Sequence, residues 1–282
     1  MKTTLPACAA LLQSSRQVYM VELLTLTLRD GGATRWAASD VSIQFDGKTW
    51  EPGPIIERDS VRLSVGIEVT TSNLTLHAGP SVTVSGVPLL QAARHGLLGG
   101  AEILIEKGFT DQPGDELVGT VHIFEGRVGE VSADSTSVQC EVKSYTELLD
   151  TMVPRNVYQP SCLHVLYSTG CGVSKAANGT ALTVQMGSTA SLIKCGAAAG
   201  TAFVLGELVF VSGANAGVRR AVKRQASGEL LLSYPLPDLP TAGDQFLVYK
   251  GCDKTMATCA SKFANLARFK GQPFVPEPET AV

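Results

Sequence analysis

Charge is what this sequence has least of. Asp, Glu, Lys and Arg together make up 17% of the 282 residues, and 23 Lys and Arg stand against 26 Asp and Glu. Without a basic surplus the chain lacks what general phosphate-backbone binding needs, so no direct sequence-specific nucleic-acid binding is expected. With 44% hydrophobic residues it is too apolar to remain disordered. Long hydrophobic runs are missing as well. Leu11-Leu12 and Val18 to Leu28 are interrupted by Ser14, Ser15, Arg16, Gln17 and Glu22, which falls short of a spanning helix of ~20 residues and predicts no stable membrane insertion. Met1-Lys2 followed by Thr3 to Leu12 imitates a signal peptide, but the apolar part is short and holds Pro6. The reading is a protein made and kept in the cytoplasm until assembly. Walker, dinucleotide-binding, HExxH and GxSxG motifs are all absent.

What fills the place of charge is small residues, among them 28 glycines. Such a surface suits a subunit covered by neighbours, or a globular protein with many small loop residues. The length allows two domains or one large β domain.

The first half alternates with the period of half-buried strands. Val41, Ile43 and Phe45 lie two apart, as do Leu74 and Leu76, Val82 and Val84, Ile103 and Ile105, and Val121 and Ile123. Asp30-Gly31-Gly32, Asp46-Gly47, Pro52-Gly53-Pro54, Gly79-Pro80 and Pro113-Gly114-Asp115 punctuate them, and Asp-Gly between apolar runs is a hairpin signal. The pattern predicts a mainly β protein whose N-terminal domain is an antiparallel barrel or sheet. A short helix is expected over Pro6 to Ser14. Val138, Cys140 and Val142 form another strand. Ser144-Tyr145-Thr146-Glu147 has the form of a capping box, with Leu148, Leu149 and Met152 as the helix's apolar stripe and Pro154 as its stop.

These signals divide the chain into an N-terminal β domain (1–155), a first paired-cysteine segment (156–179), a small inserted β domain (180–250) and a C-terminal helix and tail (251–282). Candidate strands of the insertion are Leu182-Val184, Phe203-Leu205, Leu208-Val211, Leu230-Leu232 and Phe246-Val248. In the last segment Asp253 is placed to cap a helix carrying Met256, Cys259-Ala260, Phe263 and Leu266-Ala267. Lys262, Arg268 and Lys270 suit its C-terminal end, and Gly271 and Pro273 stop it. Pro276-Glu277-Pro278-Glu279 reads as a mobile tail.

Seven cysteines in a reducing compartment are free thiols or metal ligands. Cys140 and Cys195 read as core residues. Cys162 and Cys171, with eight residues between them, and Cys252 and Cys259, with six between them, form two pairs flanking the insertion. If the ends of that insertion meet, four thiolates converge and can bind a soft metal. Zinc sites use tighter spacing, so spacing alone leaves open both a metal site and a set of buried free thiols. Thr169-Gly170 and Gly172 supply the turn that pairing Cys162 with Cys171 requires. Ser161 is placed to cap a short helix at Cys162, and Arg155, Lys250 and Lys254 are placed to offset thiolate charge. Cys162 and His164 would have to serve as nucleophile and base if the chain were instead a cell-wall cysteine hydrolase, but at i and i+2 of a helix they point apart. His77, His95 and His122 form no motif.

Several segments resemble a known family. The run Gly251-Cys252-Asp253-Lys254-Thr255-Met256-Ala257-Thr258-Cys259, continuing through Lys262-Phe263, Asn265, Phe269-Lys270-Gly271 and Pro273-Phe274-Val275-Pro276, is similar to the ending of phage tail hub proteins, which also occur in gene transfer agents. Pro160-Ser161-Cys162 through Tyr167 to Gly170-Cys171-Gly172 resembles that family's earlier paired-cysteine stretch. Phe45-Asp46-Gly47-Lys48-Thr49-Trp50-Glu51-Pro52 resembles its N-terminal turn. The resemblance implies a structural virion protein at the tail tip (baseplate hub) rather than an enzyme, assembled in the host cytoplasm. It implies a homotrimer around the tail axis, meeting the distal tail protein, the tape measure protein and the central tail fibre or tip protein. It also implies a four-cysteine iron–sulfur cluster, 4Fe-4S in form, with Cys162, Cys171, Cys252 and Cys259 as ligands; zinc is the alternative. Such a cluster would tie together the ends of a loop of about 80 residues.

Overall fold

The computed structural model describes residues 5–14, 17–61, 69–79, 81–112, 116–151, 153–154, 156, 158–197 and 200–275. The turn at 113–115, Pro80, Met152, Arg155 and the tail 276–282 lie outside the described residues. Strand outweighs helix, 38% to 13%, which makes the protein mainly β, as the alternation predicts. The chain divides into two compact units, residues 1–151 and 152–282.

The first unit opens with helix α1 (Pro6–Gln13), with Pro6 at the position where a missing amide costs nothing. Strands β1 (Tyr19–Thr27), β2 (Ala33–Ala37), β3 (Ile43–Phe45), β4 (Lys48–Pro52), β5 (Ile55–Arg58) and β6 (Thr71–His77) follow, then the small pair β7 (Thr83–Val84) and β8 (Val87–Pro88). Helix α2 (Leu89–Arg94) leads to β9 (Glu102–Thr110), β10 (Gly119–Ala133) and β11 (Ser137–Lys143). Nine strands join in the order β3-β4-β2-β1-β9-β10-β11-β6-β5. All pairs are antiparallel except β2 with β4.

Period-two patterning sets the register. Leu24 lies opposite Ile105 and Leu26 opposite Ile103, and all four are buried. Cys140 faces Leu74 on β6 within the same core. The two Asp-Gly signals are both hairpins. At the β3–β4 turn Asp46 and Gly47 take φ of 50° and 69°, the left-handed pair that a two-residue hairpin demands. Helix α2 was not legible, because its six residues are too few to show a period.

The capping-box helix is not formed. Residues Tyr145–Leu149 make a single 3-10 turn, and the Ser144 side chain does not cap it. Ser144 Oγ instead meets Thr146 Oγ1 at 2.6 Å. Glu147 turns to Lys143 at 3.2 Å rather than back to the Ser144 amide. Pro154 disfavours helical geometry in the residue before it, so too few positions remain for a helix to propagate. Leu148 and Leu149, expected as an inward stripe, are exposed.

The second unit holds β12 (Gly179–Thr183), β13 (Leu192–Lys194), β14 (Glu207–Phe210), β15 (Arg219–Ala226), β16 (Glu229–Leu232) and β17 (Gln245–Tyr249), then helix α3 (Met256–Phe263). The six strands form one antiparallel sheet in the order β12-β17-β14-β15-β16-β13. Its core includes Leu208, Val222, Leu230 and Val248, with Phe210 and Phe246 at 5.6 Å between ring centres. Such an aromatic pair contributes about 0.5–1.5 kcal/mol beyond burial. The expected strand at Phe203-Leu205 is a turn, with Leu205 at φ 60°. β15 escaped the pattern because Arg219, Lys223 and Arg224 crowd its exposed positions and dilute the alternation.

Candidate functional site

Two neighbouring stretches bring the paired cysteines together. The segment 158–178 is almost without regular structure, and no helix begins at Ser161. It is held instead by backbone pairing with the C-terminal segment. The Cys162 amide donates to the Lys254 carbonyl at 2.9 Å, and the Leu163 amide to the Lys270 carbonyl at 3.1 Å. The Lys254 ammonium reaches the His164 carbonyl, and the Tyr167 hydroxyl donates to the Lys250 carbonyl at 2.6 Å.

Close backbone contact also brings β17 into the chain before α3. A Cβ on Gly251 would stand 1.9 Å from the Val204 carbonyl oxygen, and one on Gly206 would stand 2.0 Å from that of Tyr249. Only glycine permits this crossing. It sets Cys252 beside the insertion's base.

Helix α3 begins two residues later than the sequence predicts. Thr255 is its cap, accepting from the Thr258 amide at 3.2 Å. Asp253 supports the cap from behind, accepting from the Thr255 amide at 3.0 Å and from the Thr258 hydroxyl at 2.9 Å. These bonds hold its carboxyl below the ordinary range, although burial opposes them. The helix stops at Ala264 in a left-handed conformation rather than running on to Gly271. The following residue, Asn265, is drawn towards the first cysteine segment: its side-chain amide donates to the Cys171 carbonyl at 2.7 Å.

Cys162, Cys171, Cys252 and Cys259 all line one pocket, together with His164, Leu166, Val173 and Phe263. Cys259 is buried, and burial pushes its thiol pKa up, with the charges of Cys162, Cys252 and Cys171 adding to the effect. Backbone donors already point at the sulfurs: the Lys254 amide to Cys252 Sγ at 3.4 Å and the Lys270 amide to Cys162 Sγ at 3.5 Å. Tyr167 is pushed up to about 12 by its burial first, and then by Cys171 and Cys252. Lys262 is shifted down by burial, partly opposed by Cys252 and Asp253. Among the described residues no three His, Cys, Asp or Glu side chains are arranged to hold a single metal ion. The four sulfurs ring a pocket rather than meet at a point.

The other three cysteines stand apart from this site. Cys8, Cys140 and Cys195 are fully or nearly fully buried, and burial raises Cys140 to about 11. The His164 ring packs on Gly170, where an added Cβ would fall 2.5 Å from its Nδ1. Cys162 Sγ accepts from the Lys270 amide. Lys254 lines the pocket, whereas Lys250 lines neighbouring depressions. Sequence reasoning missed Asn265 as a site residue. Its only signal was its place in the C-terminal motif.

The second unit thus combines an antiparallel sheet with two cysteine pairs that line one pocket. The chain belongs to the baseplate hub proteins: a family model described as "baseplate hub protein, N-terminal attachment domain" matches residues 6–174. A second model, "phage conserved hypothetical protein BR0599", matches residues 201–279, so each match contains one cysteine pair. A solved chain from the "virion of native gene transfer agent (GTA) particle" is similar over 97% of this chain and 94% of its own. The two are 26% identical, with a TM-score of 0.75. No curated protein matches. The protein is thus a structural virion component that assembles with other tail proteins. No helix among the described residues is long and apolar enough to cross a membrane.

Proposed function

We propose that this hub protein is a structural, non-catalytic link between the distal tail tube and the central tip or fibre protein, standing as a homotrimer and meeting the tape measure protein. Its fold is locked by a 4Fe-4S cluster on Cys162, Cys171, Cys252 and Cys259. The observation that carries the cluster is the ring of four sulfurs around one pocket, drawn from segments some 80 residues apart. The donor set fits: four thiols, amide donors aimed at two sulfurs, an apolar wall of Leu166, Val173 and Phe263, and the Lys254 and Lys262 cations nearby. Bound there, the cluster would supply a covalent cross-link. The chain's own residues orient the sulfurs and keep water out.

Protein purified without oxygen should be brown, with about four iron and four sulfide per chain. Colourless protein without iron or sulfide sinks the cluster and leaves the hub assignment standing. One zinc per chain and no iron selects a zinc-stabilised hub, the second reading, which rests on the same thiolates.

A further inference from the structure

The two units carry opposite charge although the whole chain is nearly balanced. Residues 1–151 hold 11 Lys and Arg against 19 Asp and Glu, whereas residues 152–282 hold 12 against 7. No acid occurs between Asp150 and Glu207.

In the second unit the surplus gathers at a pocket of about 660 Å³, walled by Lys175, Arg219, Arg220 and Lys250 with Glu207 as its one acid. Glu207 answers Lys175 and, at 3.7 Å, Arg219. Among the described residues no carboxylate pairs with Arg220 or Lys250; the Arg220 Nε donates to the Pro235 carbonyl at 3.0 Å. The pocket also has an apolar side. Val165 and Leu205 line it while remaining 71% and 60% exposed. Its occupant should therefore offer carboxylate beside aliphatic carbon.

The first unit ends in that chemistry. The turn at 145–149 displays Glu147-Leu148-Leu149-Asp150, with Leu148 53% and Leu149 78% exposed. Glu147 is engaged by Lys143, while among the described residues no cation pairs with Asp150. Burying apolar carbon is favourable, so these two adjacent exposed leucines suit a partner that offers an apolar wall.

We propose that Leu148-Leu149-Asp150 of one copy seats in the basic pocket of a second copy. Leu149 lies against Val165 and Leu205, and Asp150 lies among Arg219, Arg220 and Lys250. The contact rests on the reading of the protein as a ring of copies. It is heterologous, each copy giving one segment and receiving one, which closes a ring where the rotation between copies closes. The aromatic rings beside the pocket are engaged: Lys175 lies 4.5 Å over Tyr249, and Tyr167 meets Tyr249 edge-on. Among the described residues Tyr167 is the one aromatic lining the pocket, so successive bases find no run of rings to stack on, which favours a protein occupant over single-stranded nucleic acid.

The test is sedimentation velocity of the full chain over a concentration series, with thermal melts as folding controls. Arg219→Asp and Asp150→Arg should each weaken self-association at least tenfold. The double variant carrying both changes should recover it, because the pair is restored with its signs exchanged. Leu149→Ala should weaken it without lowering the melting temperature. Unchanged association in the single variants, or no recovery in the double, overturns the contact while leaving an oligomeric hub intact. A wild-type chain that stays monomeric at every concentration removes the ring reading as well. A 12-base-pair DNA duplex or polyglutamate that binds wild type and not Arg219→Asp, with self-association unaltered, assigns the pocket to another anion and likewise overturns it.

Discussion

Asn265 donates its side-chain amide to the carbonyl oxygen of Cys171 at 2.7 Å, across 94 positions of sequence. Its own backbone amide donates to the Cys259 carbonyl at 3.0 Å, and its carbonyl accepts from Cys259 Sγ at 3.4 Å. One residue therefore spans a cysteine of each pair. Asn265→Ala should destabilise the chain by about 1–2 kcal/mol, since it strands a carbonyl at a half-buried site. Denaturant titration of the full chain checks this. Stability equal to wild type would mean that Asn265 does not tie the segments.

The crossing of Gly206 and Gly251 makes a sharper case. A Cβ at 1.9 Å from the Val204 oxygen meets backbone, which cannot swing aside. Gly251→Ala should cost ~3 kcal/mol or more, because the strand must shift to admit it. Gly196→Ala is the control, since its Cβ would meet nothing within 4 Å. A soluble Gly251→Ala protein with an unshifted melting temperature would refute the argument.

The seven cysteines should split by position when each is changed to Ser. At Cys162, Cys171, Cys252 or Cys259 the change should remove visible absorbance and iron. At Cys140 it should leave both and lower stability by ~1–3 kcal/mol, from a hydroxyl buried among apolar neighbours. Metal analysis beside thermal melts separates the two classes. Loss of iron in Cys140→Ser with normal stability would contradict the division.

Acid tests the β10–β11 turn. Asp134 accepts from the Thr136 amide at 2.8 Å and the Ser137 amide at 2.7 Å, which hold its carboxyl down at about 2 from the ordinary 3.8. A depressed carboxylate contributes stability that is present above the unfolded value and lost as pH falls through the folded one. The melting-temperature gap between wild type and Asp134→Asn should be full at neutral pH, narrow from about pH 4 downward, and close near pH 2. A gap that does not change with pH would rule out the carboxylate as its source.

Much of the fold was legible because it is local. Asp46-Gly47 specifies a hairpin by backbone sterics, and Val138, Cys140 and Val142 specify a buried face by period two. Where tertiary forces, or a rival local contact, outweigh the expected ones the reading failed. Glu147 chose Lys143, a competing local partner four residues back, over the capping bond. Helix α3 ended at Ala264, where Asn265 turns towards Cys171, although apolar spacing continued to Leu266. Phe203-Leu205 looks like a strand by composition and becomes a turn because the chain must bend to cross Gly251.

By itself the sequence determined the β alternation, the Asp-Gly hairpins and the paired-cysteine motifs that mark a baseplate hub protein. These are short-range properties of residue type and spacing. Only the tertiary structure decided that Cys162 and Cys171 meet Cys252 and Cys259 around one pocket, and that the second unit's cations gather on one wall. Periodicity carries no information about which distant segments touch. That depends on contacts such as Cys162 to Lys254 and Asn265 to Cys171, which exist only once the intervening sheet has brought its ends together.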